Sequence, residues 1–134
     1  MTINAKIERL IDANLNRLRE ALRLLEDVQR YIFDNKELSY IFKELRHNLT
    51  PLFDTKRLKY RDIEGDVAKA STASELERSS LKDMIDANFS RALESARVLE
   101  EAFKLTQPKS SAVAKDVRYR LYGLHKKALL KLEE

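Results

Sequence analysis

Asn14 and Arg17 fall on the apolar face of the helical stretch IDANLNRLREALRLLED, residues 11–27, and Asn88 and Arg91 fall on that of IDANFSRALESARVLEE, residues 85–101. At about 100° per residue, Leu10, Ile11, Leu15, Leu18, Leu22, Leu25 and Val28 form one broad stripe, and Ile85, Phe89, Ala92, Ala96 and Leu99 form the other. Apolar packing requires only shape and an absence of polar atoms, so it does not by itself select the same amide and guanidinium twice. A guanidinium holds phosphate or carboxylate through its bidentate fork, and an asparagine amide matches the donor and acceptor edge of an amino-substituted heterocycle. Bundle cores build ligand sites from such side chains converging from facing helices. One reading is therefore a pocket in which both amide–guanidinium pairs are desolvated and completed by a ligand. The other is an internal network, with Arg17 and Arg91 paired to acids of neighbouring helices, because an unpaired buried charge is strongly destabilising. The repeated acids Asp12, Asp86, Glu20, Glu94, Glu26 and Glu100 fall off the stripe and are expected in solvent or beside Arg23 and Arg97.

Other chemistry is narrowed by what the chain lacks. With no cysteine there is no disulfide, zinc thiolate or thiol nucleophile. His47 and His125 have no helical His-x-x-x-His spacing, which argues against a zinc site, and His47 beside Arg46 reads as a surface residue. Tyr40, Tyr60, Tyr119 and Tyr122 read as packing residues with a wet hydroxyl. Two isolated glycines, Gly65 and Gly123, cannot form a glycine-rich phosphate loop, so the P-loop and Rossmann routes to a nucleotide are excluded.

The elements that must position these residues are helices. A first helix is predicted from Thr2 or Asn4 to about Ile32 or Phe33, and Asp34 with Glu37 resembles the capping box of a second. That second helix carries Leu38, Ile41, Phe42, Leu45, Leu49 and Leu52 at buried-stripe spacing and fades near Pro51. Residues 53–73 lose the periodicity; a loop of this length inside a compact domain is often functional. Ser74 with Glu77 suggests the start of a third helix running to about Leu105, and Pro108 breaks it from a fourth carrying Val113, Val117, Leu121, Leu124 and Ala128.

The two motif helices match at nine of seventeen positions with an offset of 74, where ordinary residue usage gives about one. The second helices match more weakly, Lys43, Leu45, Arg46 and Leu49 against Lys115, Val117, Arg118 and Leu121. The expected fold is all-α: an internally duplicated helical bundle of two hairpins with pseudo-two-fold symmetry and a long central loop. Repeat one covers about 3–52, the loop 53–73 and repeat two about 74–132, within one domain spanning 1–134. The formal net charge of +4 is spread among 26 basic and 22 acidic residues, which gives neither a nucleic-acid tail nor a polybasic membrane anchor. No apolar run reaches the length of a signal peptide or membrane span, so a soluble, cytoplasmic protein is expected. Long exposed helices make a homodimer reasonable.

IDANLNRLREALRLLED, KELRHNL, RDIEGDV and IDANFSRALESARVLEE together resemble the small hydroxymethylpyrimidine phosphate kinases that occur alone or fused to thiamine phosphate synthase, across essentially the whole chain. The repeated Asp-Ala-Asn-x-x-Arg-x-x-Glu-x-x-Arg-x-x-Glu helix is present in both copies. The resemblance implies ATP-dependent phosphorylation of 4-amino-5-hydroxymethyl-2-methylpyrimidine phosphate to the diphosphate, a step of thiamine biosynthesis, with Mg²⁺. On that basis Arg17 and Arg91 act on the transferring group and Asn14 and Asn88 bind substrate or nucleotide, with Arg46, Arg61 and Arg118 as further cations. Asp62 and Asp66 of the loop, or Asp12 and Asp86, hold magnesium. Each repeat then contributes a related half-site for one of two substrates. The loop departs from the family's Asp-Val-Gly at Ala68. The competing function is a non-catalytic helical module supporting a thiamine phosphate synthase-type partner.

Overall fold

The computed structural model describes residues 1–133, with the side chain of Ser74 and the whole of Glu134 outside the described set. The fold is an all-α bundle: α1 (Ile3–Asp27), α2 (Lys36–Asn48), α3 (Leu81–Thr106) and α4 (Pro108–Leu132), with no strand among the described residues. One π-helical turn, Val28–Ile32, prolongs α1, and short 3₁₀ turns lie at Thr50–Leu52, Thr55–Tyr60 and Ala73–Glu75.

Central to the bundle are α1 and α3, which pack on each other while α2 packs on α1 and α4 on α3. They run antiparallel. Met84, early in α3, shares a cavity with Leu24, late in α1, and with Val28 of the π turn, while Arg57 reaches both Glu8, early in α1, and Phe103, late in α3. All four helices feed one continuous buried cluster, from the α1 stripe (Ile11, Leu15, Leu18, Leu22, Leu25) through Phe42 and Phe89 to Val117 and Leu121. Phe89 lies at its centre, with its ring 5.8 Å from that of Phe42 on α2 and 4.5 Å from that of His125 on α4.

Helix ends show where local signals prevailed and where packing did. Thr2 caps α1, its hydroxyl accepting from the Ala5 N–H at 3.1 Å. The expected Asp34 cap is displaced by one residue: Asn35 caps α2 by accepting from the Leu38 N–H at 3.0 Å. The π turn is the cause. Its wide loop carries the chain to Asp34, which reverses direction at φ 50°, and the Asn35 N–H donates back to the Gln29 carbonyl at 2.8 Å. Asn35 is thus the first residue with the extended backbone a cap needs.

The third helix also starts later than the Ser74–Glu77 spacing predicts. Ser80 caps α3, accepting from the Asp83 N–H at 3.1 Å, and the capping box upstream is Thr72 with Glu75 around a single 3₁₀ turn. Residues 74–80 offer one large apolar side chain, Leu76, and it is exposed, so a helix there would have no face to bury. The connection between hairpins therefore runs from 53 to 80, and its first part is fixed by a buried residue. Arg57 is only 4% exposed, donating to Glu8 Oε2 at 2.6 Å and to the Leu52 carbonyl at 2.6 Å, with its guanidinium over Phe103.

Candidate functional site

The repeated motif divides into residues turned inward and residues turned outward, and the division differs from the one expected of Asn14, Arg17 and the motif acids. Asn14 and Asn88 are engaged by their own helices: each donates to the carbonyl four residues back, Asn14 to Leu10 at 2.9 Å and Asn88 to Met84 at 2.8 Å. Asp12, Glu26 and Glu100, expected in solvent or beside Arg23 and Arg97, are buried, and Glu100 does meet Arg97 at 3.3 Å. They flank the apolar stripe, and an arginine arriving from the next element encloses each of them. Arg46 Nε donates to Glu26 at 3.1 Å and Arg118 Nε to Glu100 at 2.8 Å, so α1–α2 and α3–α4 are each tied by one acid–guanidinium pair at matching motif positions. Arg118 holds the Glu100 carboxyl below its ordinary pKa against the opposing effect of burial.

Asp12 and Asp86 occupy matching positions and take different partners. Arg61, from the connection, clasps Asp12 with two bonds of 2.7 and 2.8 Å. Asp86 instead meets His125 Nε2 of α4 at 3.0 Å and Lys82 at 2.7 Å; Lys82 first and His125 second lower its pKa. The connection thus stands beside α1 where the longer α4 stands beside α3.

Arg17 and Arg91 correct the expectation of desolvated guanidiniums, because both are exposed on their helices. Arg17 sits roughly 120° from the centre of the buried stripe, where a long cationic side chain reaches water while its stem covers the border. Of the thirteen arginines in the chain, eleven have a hydrogen bond, ion pair or ring contact within it. Among the described arginines Arg17 and Arg91 alone have none. Glu20 and Glu94, one turn further along each helix, are likewise exposed and unpartnered. Arg23 and Arg97, also outward, pair with Asp27 and with Glu100 and Glu101, so the motif residues without a task inside the fold are Arg17, Glu20, Arg91 and Glu94.

Asp62 and Asp66 lie exposed on the connection. Asp62 Oδ1 accepts from the Gly65 N–H at 2.8 Å, Asp66 Oδ1 accepts from the Ala68 N–H at 3.0 Å, and Arg9 holds the Asp62 carbonyl at 2.8 Å. A Cβ at Gly65 would stand 2.3 Å from Asp62 Oδ2, so any other residue there displaces that carboxylate. Ala68 has its Cβ in the open and its N–H turned to Asp66. Among the described residues no three His, Cys, Asp or Glu converge as a ready-made metal cage. Asp12 and Asp86 are taken by cations, whereas Asp62 and Asp66 each accept a backbone N–H through Oδ1 and leave Oδ2 without a hydrogen bond. A hard cation that retains water and substrate phosphates fits that pair better than the other.

Beside Glu20 opens a cavity of about 690 Å³, walled by Leu24 and Val28 of the α1 region, by Met84 of α3 and by Tyr31 of the π turn. Sequence reasoning missed Tyr31, because a π turn leaves no mark in a 100° periodicity, and missed Arg57, which reads as one cation among several in a charged loop.

Residues 9–127 match the model of the ThiD2 family. The chain belongs to that family. Curated relatives of the chain include proteins named thiamine-phosphate synthase: that of Synechocystis sp. is 41% identical over 119 residues, covering 88% of this chain and 35% of the relative. Those of Nostoc punctiforme and Nostoc sp. are both 40% identical, covering 88% and 91% of this chain and 34% and 35% of theirs. The chain thus spans about a third of the length of the curated relatives it matches. No solved structure matches it. None of its described helices is long and apolar enough to cross a membrane.

Proposed function

We propose that this ThiD2 chain phosphorylates hydroxymethylpyrimidine phosphate to the diphosphate at the expense of ATP. The observation that carries the reading is the pair of guanidiniums at one repeated motif position, Arg17 and Arg91, left without a partner in a chain that engages its other eleven. Exposed, unpaired cations at the same place in two helices suit anionic groups supplied from outside. Arg46, Arg118 and Arg61 serve differently, positioning the helices and the connection through Glu26, Glu100 and Asp12.

In the reaction a phosphate oxygen of the pyrimidine phosphate attacks the γ-phosphorus of ATP, the bond from that phosphorus to the bridging oxygen breaks, and ADP leaves. The attacking oxygen is already anionic near neutral pH, so no strong general base is needed, and the protein's work is positioning and charge stabilisation. Mg²⁺ held by Asp62 and Asp66 would neutralise charge on the phosphates. Arg17 and Arg91 orient one phosphorylated substrate each.

The test is ADP release measured by a coupled assay with and without the pyrimidine phosphate. Substrate-dependent release, with Arg17→Ala and Arg91→Ala raising the KM of different substrates, supports the kinase. No release from the folded protein, or two fully active variants, overturns it. Because the chain corresponds to one third of proteins named thiamine-phosphate synthase, a second reading is a non-catalytic helical module for a synthase-type partner. Silence in the assay together with co-purification of that partner favours the module.

A further inference from the structure

The ends of the two motif helices differ. α3 stays α-helical to Thr106, whereas α1 gives way at Val28 to a π turn, and such turns are uncommon and concentrate at functional sites. This one lifts Tyr31, 64% exposed, to the rim of the 690 Å³ cavity, a volume suited to a small organic ligand. The ring has no aromatic neighbour and only the Arg30 guanidinium nearby, at 4.8 Å. The cavity wall is apolar at Leu24, Val28 and Met84, acidic at Glu20 and Asp27, and basic at Arg19, Arg23 and Arg46. Asp27 Oδ1 is buried without a hydrogen bond, its ionic neighbour Arg23 Nε standing 3.4 Å away. Glu20 lies one turn from Arg17, and Leu24 lies two turns from it, about 10 Å along the axis.

We infer that this cavity is the ring subsite of the Arg17 half-site: it takes an amino-substituted six-membered nitrogen heterocycle carrying a phosphate. The ring lies on Leu24, Val28 and Met84 beneath Tyr31, its exocyclic amine donates to Glu20 or Asp27, and its phosphate turns toward Arg17. The inference rests on the proposed phosphoryl transfer for the class of ligand, and that class has two sources, the pyrimidine phosphate and the adenine nucleotide. α3 offers no equivalent platform, since Leu105 stands where Tyr31 does and the helix there is regular.

The chain contains no tryptophan, so Tyr31→Trp makes a single fluorescent reporter at the rim. Its emission is titrated with the pyrimidine phosphate, with ADP, and with inorganic pyrophosphate as a ringless control. A saturable change with one of the two ring-bearing ligands and none with pyrophosphate is expected, and the responding ligand tells pyrimidine from nucleotide. Adding Leu24→Phe to fill the cavity without a second indole, or the surface change Glu20→Gln where the first disturbs folding, should weaken that binding tenfold or more. If neither ring ligand alters the emission, or if both variants bind as tightly as the reporter protein, the ring subsite is refuted. ADP release in that case leaves the kinase standing, while cavity binding without turnover refutes the kinase and keeps the subsite.

Discussion

A charged side chain that the fold does not use is informative when it recurs. Arg17 and Arg91 make no hydrogen bond or ion pair that their removal would break, so Arg17→Ala and Arg91→Ala should each change stability by no more than about 0.5 kcal/mol, while substrate KM rises. Equal thermal melts with altered kinetics would show this; a large drop in melting temperature would return both residues to a structural role. Glu100 is the opposite case, buried and held by Arg118. Glu100→Gln removes a charged hydrogen-bond acceptor and should cost about 1.5–3 kcal/mol, measured by urea unfolding. Its pKa is lowered by Arg118 and that of Asp86 by Lys82 and His125. Both groups therefore take up protons in the unfolded chain before they do so in the folded one. Their stabilisation is complete above the ordinary carboxylate range near pH ~4 and is lost as pH falls through the lower folded values. Unfolding midpoints should decline below about pH 4, and Glu100→Gln should flatten that decline.

At the scale of elements, caps and turns decide where the functional side chains stand. Asn35→Ala removes the cap of α2 and should destabilise by about 1 kcal/mol, whereas the same change at Asp34 removes no cap; comparing the two unfolding curves tests the displaced start. Gly65→Ala pushes a methyl group into the Asp62 carboxylate. Since that carboxylate is a mobile, exposed side chain, global stability should fall by at most about 1 kcal/mol, while ADP release should suffer through the misplaced Asp62. Unchanged activity in Gly65→Ala would remove the loop carboxylates from the reaction. The connection itself was legible as a long aperiodic stretch, but its anchoring was not, because Arg57 and Arg61 become structural only when Glu8 and Asp12 of a distant helix meet them.

The whole molecule depends on one shared core in which Phe89 touches both outer helices. Phe89→Ala should cost about 3–5 kcal/mol and loosen α2 and α4 together, seen as one cooperative loss in thermal melts; two separate transitions would mean that the halves are independent. A central α1–α3 layer also explains why the outward motif residues of both helices remain available, since α2 and α4 cover the inner stripe and leave Arg17, Glu20, Arg91 and Glu94 in solvent.

Four helices, their buried stripes and the matching motifs are properties of the sequence, because apolar residues at a 3.6 period specify helix and inner face without reference to any neighbour. The family resemblance belongs with them, since it rests on residue types at fixed spacing along one helix. Tertiary structure alone decided which polar residues face in. A side chain at the border of the stripe, such as Glu26, Asp12 or Arg17, can turn either way, and only the presence of Arg46 or Arg61, or of open solvent, determines its side. The cavity at the π turn is of the same kind: it exists because α3 arrives antiparallel beside a widened helix end, a relation between segments more than fifty residues apart.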